Sequence, residues 1–163
     1  MTISKEAVWE MLNSIPDPEV PAISIVELGV VRDVKVEGSS VIVDMTPTYT
    51  GCPAMKMMED QVKAKLMLEG LDVKVNVVFK PAWTTDWMSD ATKEKLRAYG
   101  IAPPDTLSFE NLHPFAKSDK GPLKCPFCRS EDTALTSQFG STACKALYFC
   151  NECRQPFEHF KCH

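Results

Sequence analysis

The sequence predicts an α+β fold in two parts: a small two-layer α/β domain of about three strands with helices, then a compact cysteine-rich domain. Three observations predict it. Hydrophobic periodicity in the first part runs helix, strand, strand, helix, strand, helix, which lays helices on a mixed or antiparallel sheet. Cysteine density then steps up: residues 1–115 hold one of the seven cysteines and residues 116–163 hold six, so the two domains are assigned to those spans. Finally, 163 residues with 44% hydrophobic and 25% charged side chains build one good core plus a small appendage, which excludes a disordered or collagen-like chain.

Ser4 is placed to cap a first helix whose apolar face is Val8, Met11, Leu12 and Ile15, and Pro16 and Pro18 end it. The β-branched runs 30–36 and 40–45 flank Glu37-Gly38-Ser39 and read as a hairpin. A long amphipathic helix is expected over 53–68, with Pro53 at the first helical position and Met57, Met58, Val62, Leu66 and Met67 as its buried stripe. Residues 73–79 alternate as a third strand. Ser89-Asp90 opens a short helix through Tyr99, stopped by Gly100. Ala102-Pro103-Pro104-Asp105 and residues 117–122 carry the turn formers and charge of a linker.

In the second domain, Cys125-Pro-Phe-Cys128 and Cys150-Asn-Glu-Cys153 are two C-x-x-C pairs with 21 residues between them. Each pair offers two thiolates from one turn, and Zn²⁺ takes four in a tetrahedron, so the domain reads as a four-cysteine zinc ribbon. So small a core needs the metal's contribution to fold. Four thiolates also suit a rubredoxin-like iron or an iron–sulfur cluster, and spacing does not choose among these. Cys144, Cys162 and His163, with His159 nearby, are possible alternate ligands; the plainer reading packs Cys144 inside the ribbon and lets the last residues fray.

Residues 1–115 carry 11 Lys/Arg against 17 Asp/Glu, and residues 116–163 carry 7 against 5. With no dense basic stripe and an isoelectric point near 5.4, nucleic acid is not an expected partner. No apolar run approaches the roughly 20 residues that span a bilayer, and the first residues lack the pattern of a signal peptide. The expectation is a cytoplasmic protein without a membrane partner, its cysteines kept reduced.

Cys52, the lone cysteine of the first domain, lies where a strand ends and the long helix begins, in Pro47-Thr48-Tyr49-Thr50-Gly51-Cys52-Pro53. Placed as the helix N-cap, its sulfur meets free backbone N–H groups and the positive end of the helix dipole, which favour thiolate and lower the pKa. Gly51 permits close backbone approach and Thr48 and Thr50 supply hydroxyls. Asp17-Pro18-Glu19 puts two carboxylates on a constrained turn that folding can bring to the same end of the sheet, and a thiolate with carboxylates can coordinate iron. The same residues also read as a capping cysteine beside an ordinary acidic turn. No nucleophile elbow or phosphate loop suggests catalysis. Trp83 and Trp87 read as core, or as a partner surface.

Asp17-Pro18-Glu19-Val20-Pro21, the run 25–34 and Thr48-Tyr49-Thr50-Gly51-Cys52-Pro53 resemble the α/β domain of iron–sulfur cluster assembly proteins, the family that includes SufT. With Trp83-Thr84-Thr85-Asp86-Trp87-Met88, the cysteine pairs, the run 139–148 and the ending Phe160-Lys161-Cys162-His163, nearly the whole chain is similar to the PaaD family. These are small accessory subunits encoded with the phenylacetyl-CoA epoxidase of aerobic phenylacetate degradation. The resemblance implies a non-catalytic maturation role toward the epoxidase's di-iron oxygenase subunit, its iron–sulfur reductase subunit, or both. It makes Cys52 the functional thiol, holding iron or a cluster transiently, and matches Asp17 and Glu19 to the family's acidic turn. One thiolate per chain suits a carrier that must release its cargo and suggests a homodimer sharing a cluster. The alternatives are a structural subunit of the oxygenase complex and an electron-transfer component.

Overall fold

The Ser4 hydroxyl accepts the Ala7 N–H at 3.1 Å and starts α1 (Lys5–Asn13), which buries Val8 and Leu12. The computed structural model describes residues 3–49, 51–104 and 123–161. After a segment closed by hydrogen bonds from Asp17 N–H to Ile23 O and from Ile25 N–H to Ile15 O, β1 (Val31–Glu37) and β2 (Ser40–Met45) form an antiparallel hairpin. Alternation along β2 sends Val41, Val43 and Met45 into the core. From β2 the chain crosses through α2 (Ala54–Met67) to β3 (Asp72–Val77), which pairs parallel to β2. The sheet order is β1-β2-β3, with β2 central.

Helix α2 packs through Ala54, Met55, Met58, Val62 and Leu66. Met57 and Met67, expected in this buried stripe, are instead 54% and 61% exposed. Each is one residue, about 100° of helical rotation, away from a core residue, which turns it out of the core face.

The chain divides into compact units at Met88 and Ser89, ahead of the step in cysteine density. Ser89 caps α3 (Asp90–Ala98), and β4 (Ile101–Ala102) pairs parallel to β7 (Pro156–Phe160), so residues 89–104 fold with the ribbon. The second sheet runs β4-β7-β6-β5, with β5 at Thr133–Ser137 and β6 at Lys145–Cys150. Ile101 and Ala102 are buried, and their pairing covers the β7 edge. Among the described residues no helix is long and apolar enough to cross a membrane.

Candidate metal centre and the lone thiol

The two C-x-x-C pairs meet. Cys125, before β5, and Cys150, at the end of β6, are fully buried, while Cys128 is exposed and Cys153 half-buried. The Sγ atoms of Cys125 and Cys153 are 3.7 Å apart, those of Cys128 and Cys150 are 3.6 Å apart, and all four lie within 4.8 Å of one another. A tetrahedral ion with bonds of about 2.3 Å to sulfur separates its ligands by about 3.8 Å, so the quartet fits one ion. A cluster places several irons and sulfides between its thiolates and needs a wider cage.

Each pair turns at a residue with left-handed backbone just after its second cysteine, Arg129 (φ 68°) and Arg154 (φ 59°). These turns aim amides at sulfur. The Cys153 N–H pulls the Cys150 thiol down to about 7 against its burial, with help from Cys128. Burial, then Cys150 and Cys125, pushes Cys153 up to about 12. Four touching thiols cannot all ionise without a cation among them, so the chemistry of the donor set matches a metal. Behind the sulfurs, Cys125 and Cys150 pack with Ala102 and Phe157, flanked by Leu123 and Tyr148.

Cys144 stands apart from this quartet: it is 2% exposed, with the Thr142 hydroxyl 3.1 Å from its sulfur. His159 is also buried, its ring edge-on to Tyr148. Cys162 and His163 lie outside the described residues.

The loop 138–144 and the first residue of β6 form a clamp whose partners the sequence did not reveal. Lys145 is 3% exposed and its Nζ lies 3.0 Å from Glu158 Oε2, while the Ser141 N–H donates to Glu158 Oε1 at 2.6 Å. A Cβ on Gly140 would stand 2.6 Å from that same oxygen, so any larger residue there must displace the Glu158 carboxylate from the clamp. Burial pushes the Glu158 carboxyl up, but Ser141 and Lys145 outweigh it and hold it below the usual range. No local signal marks this lysine as buried; its ion-pair partner Glu158 comes from the neighbouring strand.

In the first unit, the C-terminal ends of β2 and β3 lie at one edge of the sheet, where ligands bind in parallel α/β topologies. Cys52 sits on the loop leaving β2 there. The helix cap is Pro53, at φ −68° and ψ −22° and with no side-chain cap bond, so Cys52 precedes the cap rather than forming it. Its sulfur still receives the N–H groups of Ala54 and Met55. Burial nevertheless dominates and, with Glu19 and then Asp17 adding negative charge, holds the thiol above its usual value despite those amides. This corrects the expected depression: the helix terminus acts, but burial and two tertiary carboxylates outweigh it. The fold therefore does bring the Asp17-Pro18-Glu19 turn within electrostatic reach of Cys52.

That turn is rigid. Asp17 is 4% exposed and its Oδ1 accepts the N–H groups of Glu19 at 2.9 Å and Val20 at 2.7 Å, an Asx turn that fixes where Glu19 stands. Thr48 is buried on the approach to Cys52, and Thr50 lies outside the described residues. Gly51 has φ +82° with nothing within 4 Å of a Cβ built on it. Gly51→Ala therefore meets no clash and costs only backbone strain, about 1–2 kcal/mol, read as a lowered urea midpoint of the first unit. Trp83 belongs to the core, donating its Nε1–H to Leu28 O at 2.9 Å, while Trp87 carries the Arg32 guanidinium 3.5 Å over its ring.

A protonated Cys52 has a measurable signature. Peptide-resolved alkylation of this cysteine by iodoacetamide should be slow at pH 7, with a midpoint above the usual thiol value. Glu19→Gln removes a charge that opposes ionisation and should move the midpoint down. A midpoint below that of an ordinary thiol would contradict the electrostatics described here.

The comparisons with known proteins agree with both halves. The iron-sulfur cluster assembly protein family matches residues 5–77, and the PaaD zinc beta ribbon domain matches residues 111–161. The chain is 44% identical over 156 residues to a protein of Escherichia coli (strain K12) named as a putative 1,2-phenylacetyl-CoA epoxidase subunit, covering 95% of this chain and 91% of that protein. It is 46% identical over 80 residues to the Fe-S protein maturation auxiliary factor SufT of Staphylococcus aureus (strain USA300), covering 47% of this chain and 90% of that one. Among solved structures, it is similar to a domain of unknown function from Bacillus anthracis, with TM-score 0.53 and 31% identity over 56% of this chain and 90% of that one. A conserved hypothetical protein from Thermotoga maritima matches with TM-score 0.50 and 32% identity, over 58% of this chain and 95% of that one.

Fold and site thus define an iron–sulfur assembly domain joined to a metal-binding ribbon. The chain belongs to the PaaD family.

Proposed function

We propose that this chain is a non-catalytic maturation factor of the cytoplasm that carries iron or an iron–sulfur cluster on Cys52 and delivers it to a phenylacetyl-CoA epoxidase, while the quartet holds zinc. The observation that carries this reading is the half-buried Cys52 thiol under the field of Asp17 and Glu19. The charges that disfavour a bare thiolate favour a cation beside it. Ferrous iron arriving at the sulfur displaces the thiol proton, and the carboxylates that opposed ionisation then stabilise the bound cation. Until cargo arrives, the sulfur stays protonated, which slows its oxidation.

The quartet fits a different role. Four thiolates fill a tetrahedral ion and leave no position for cargo, so Cys125, Cys128, Cys150 and Cys153 hold the ribbon's shape for docking on the recipient. The E. coli relative is named as a subunit of an epoxidase, which supports the oxygenase or reductase subunit as recipient.

Co-purification with the epoxidase tests this. A maturation factor leaves the finished enzyme, so the active complex should contain the chain well below one copy per oxygenase subunit. A stoichiometric chain that cannot be removed without loss of activity would instead mark a structural subunit. Visible absorption from the quartet's metal would mark iron there and favour electron transfer, because zinc thiolates are colourless.

A further inference from the structure

A groove runs along the exposed flank of α2 from Pro53 past Met57 and Gln61 to Ala64, with Lys56 and Asp60 on its rim. Met57 is 54% exposed and Leu68, one turn past Ala64, is 84% exposed. Met57, Gln61, Ala64 and Leu68 follow each other at steps of four, three and four, the 3.5-residue period of a coiled-coil seam. This stripe, apolar but for Gln61, is separate from the core face of Met55, Met58, Val62 and Leu66, so the first unit leaves it uncovered.

Three features indicate what fits this seam. Gln61 turns its Oε1 into the protein, where it is buried without a donor. Such an acceptor is costly, and a glutamine amide rotated into the seam finds its complement in another copy of itself, N–H to carbonyl in both directions. The seam's flanks carry different charge sets: on one side exposed Asp60 is ion-paired with Lys56 of its own helix at 2.7 Å, and on the other stands exposed Lys65. In a parallel pair, Asp60 of one copy faces Lys65 of the second and takes it alongside Lys56, the flank-to-flank contact that sets partner and orientation. Lastly, among the described residues no group of three or more metal-binding side chains includes Cys52, so one copy leaves a cargo ion or cluster without a full ligand set.

We infer that Met57, Gln61, Ala64 and Leu68 form the seam of a parallel pairing between two copies of this chain, which sets two Cys52 thiols at one end to share a single cargo. The inference rests on the reading of Cys52 as a cargo ligand. With helix axes about 8–10 Å apart, the two α2 N-termini lie side by side. An antiparallel pair would put the thiols at opposite ends. Small Ala64 lets the helices close, and the Gln61 pair fixes the register, as a buried polar residue in a seam does. Four side chains over about 17 Å bury far less than the roughly 800 Å² per partner of a stable interface, so pairing is weak alone and tightens when cargo bridges it.

Sedimentation of the full chain, with and without ferrous iron and sulfide under anaerobic reducing conditions, tests the seam. The expected result is self-association that these additions strengthen by at least about tenfold. Ala64→Glu, at an exposed position, should keep the helical circular dichroism and abolish dimers with or without iron. Asp60→Lys should weaken the dimer and Asp60→Lys/Lys65→Asp should restore it, which only the parallel arrangement explains. If the wild-type chain binds iron and sulfide as a monomer, or if Ala64→Glu dimerises like the wild type, the seam is wrong and the cargo reading stands. Dimers sensitive to Ala64→Glu in a chain that takes up no iron through Cys52 would keep the seam and sink the cargo reading. A chain that stays monomeric and takes up no iron sinks both.

Discussion

Replacing Cys125 with serine unfolds the ribbon and leaves the first unit standing. The unit that holds the ribbon has about 55 described residues, a size at which apolar burial alone gives only marginal stability. Structural zinc contributes about 10–16 kcal/mol in comparable small domains, as much as the whole net stability of an ordinary domain, about 5–15 kcal/mol. Cys125 is fully buried, so its serine variant loses a ligand and leaves a hydroxyl against Ala102 and Phe157. Amide exchange protection should vanish from β5, β6 and β7 and from β4, which is paired to β7, while β1, β2 and β3 keep theirs. The bound metal, counted per chain, should fall with it. Protection in β6 unchanged from wild type would show that the ribbon stands on packing alone.

On the proposed reading Cys52→Ser has the opposite profile: an intact fold and a lost function. Cys52 is half-buried and contributes little to the core, and serine preserves its shape. The hydroxyl, however, neither ionises at neutral pH nor binds soft metals as sulfur does. Even residues that only support a ligand change metal affinity by about 10–100-fold, so loss of the ligand itself should cut iron delivery by at least about tenfold. The readout is epoxidase turnover and oxygenase iron content in cells that carry the variant, with thermal unfolding as the control. Wild-type iron content and turnover would remove Cys52 from the mechanism.

Much of the fold is legible from local chemistry. Ser4 and Ser89 cap their helices with the expected hydroxyl bonds, and alternation marks β1, β2 and β3, because caps and periods act within a few residues. The start of α2 is legible only to within a residue. Proline is compatible with both the cap and the first turn, and Pro53 takes the cap with helical backbone angles. Met57 and Met67 read as core because their chemistry is apolar; which apolar stripe faces the sheet depends on the strands it meets. Strand β4 is two residues long and takes its pairing from β7, more than fifty residues on, which leaves no local trace.

The same division runs through the sites. The spacing of the cysteine pairs is a property of two turns, so the gathering of four sulfurs can be anticipated from the chain. The state of Cys52 cannot. The helix terminus, a local feature, pulls the thiol toward ionisation, whereas burial and the carboxylates of Glu19 and Asp17 come from residues more than thirty positions away and win. Lys145 and Glu158 are of the same kind, an ion pair between a buried lysine and a half-buried glutamate that look like surface residues until β6 and β7 pair.

On the proposed reading the two sulfur sites hold metal on different terms, the quartet permanently and Cys52 exchangeably. Metal counts per chain on anaerobically purified protein, before and after a mild chelator and in wild type against Cys52→Ser, test this most directly. The expected result is about one zinc per chain that survives the chelator in both proteins, and iron in the wild type alone that the chelator removes. Iron bound equally by the serine variant, or iron that resists the chelator as firmly as the quartet's metal does, would contradict it.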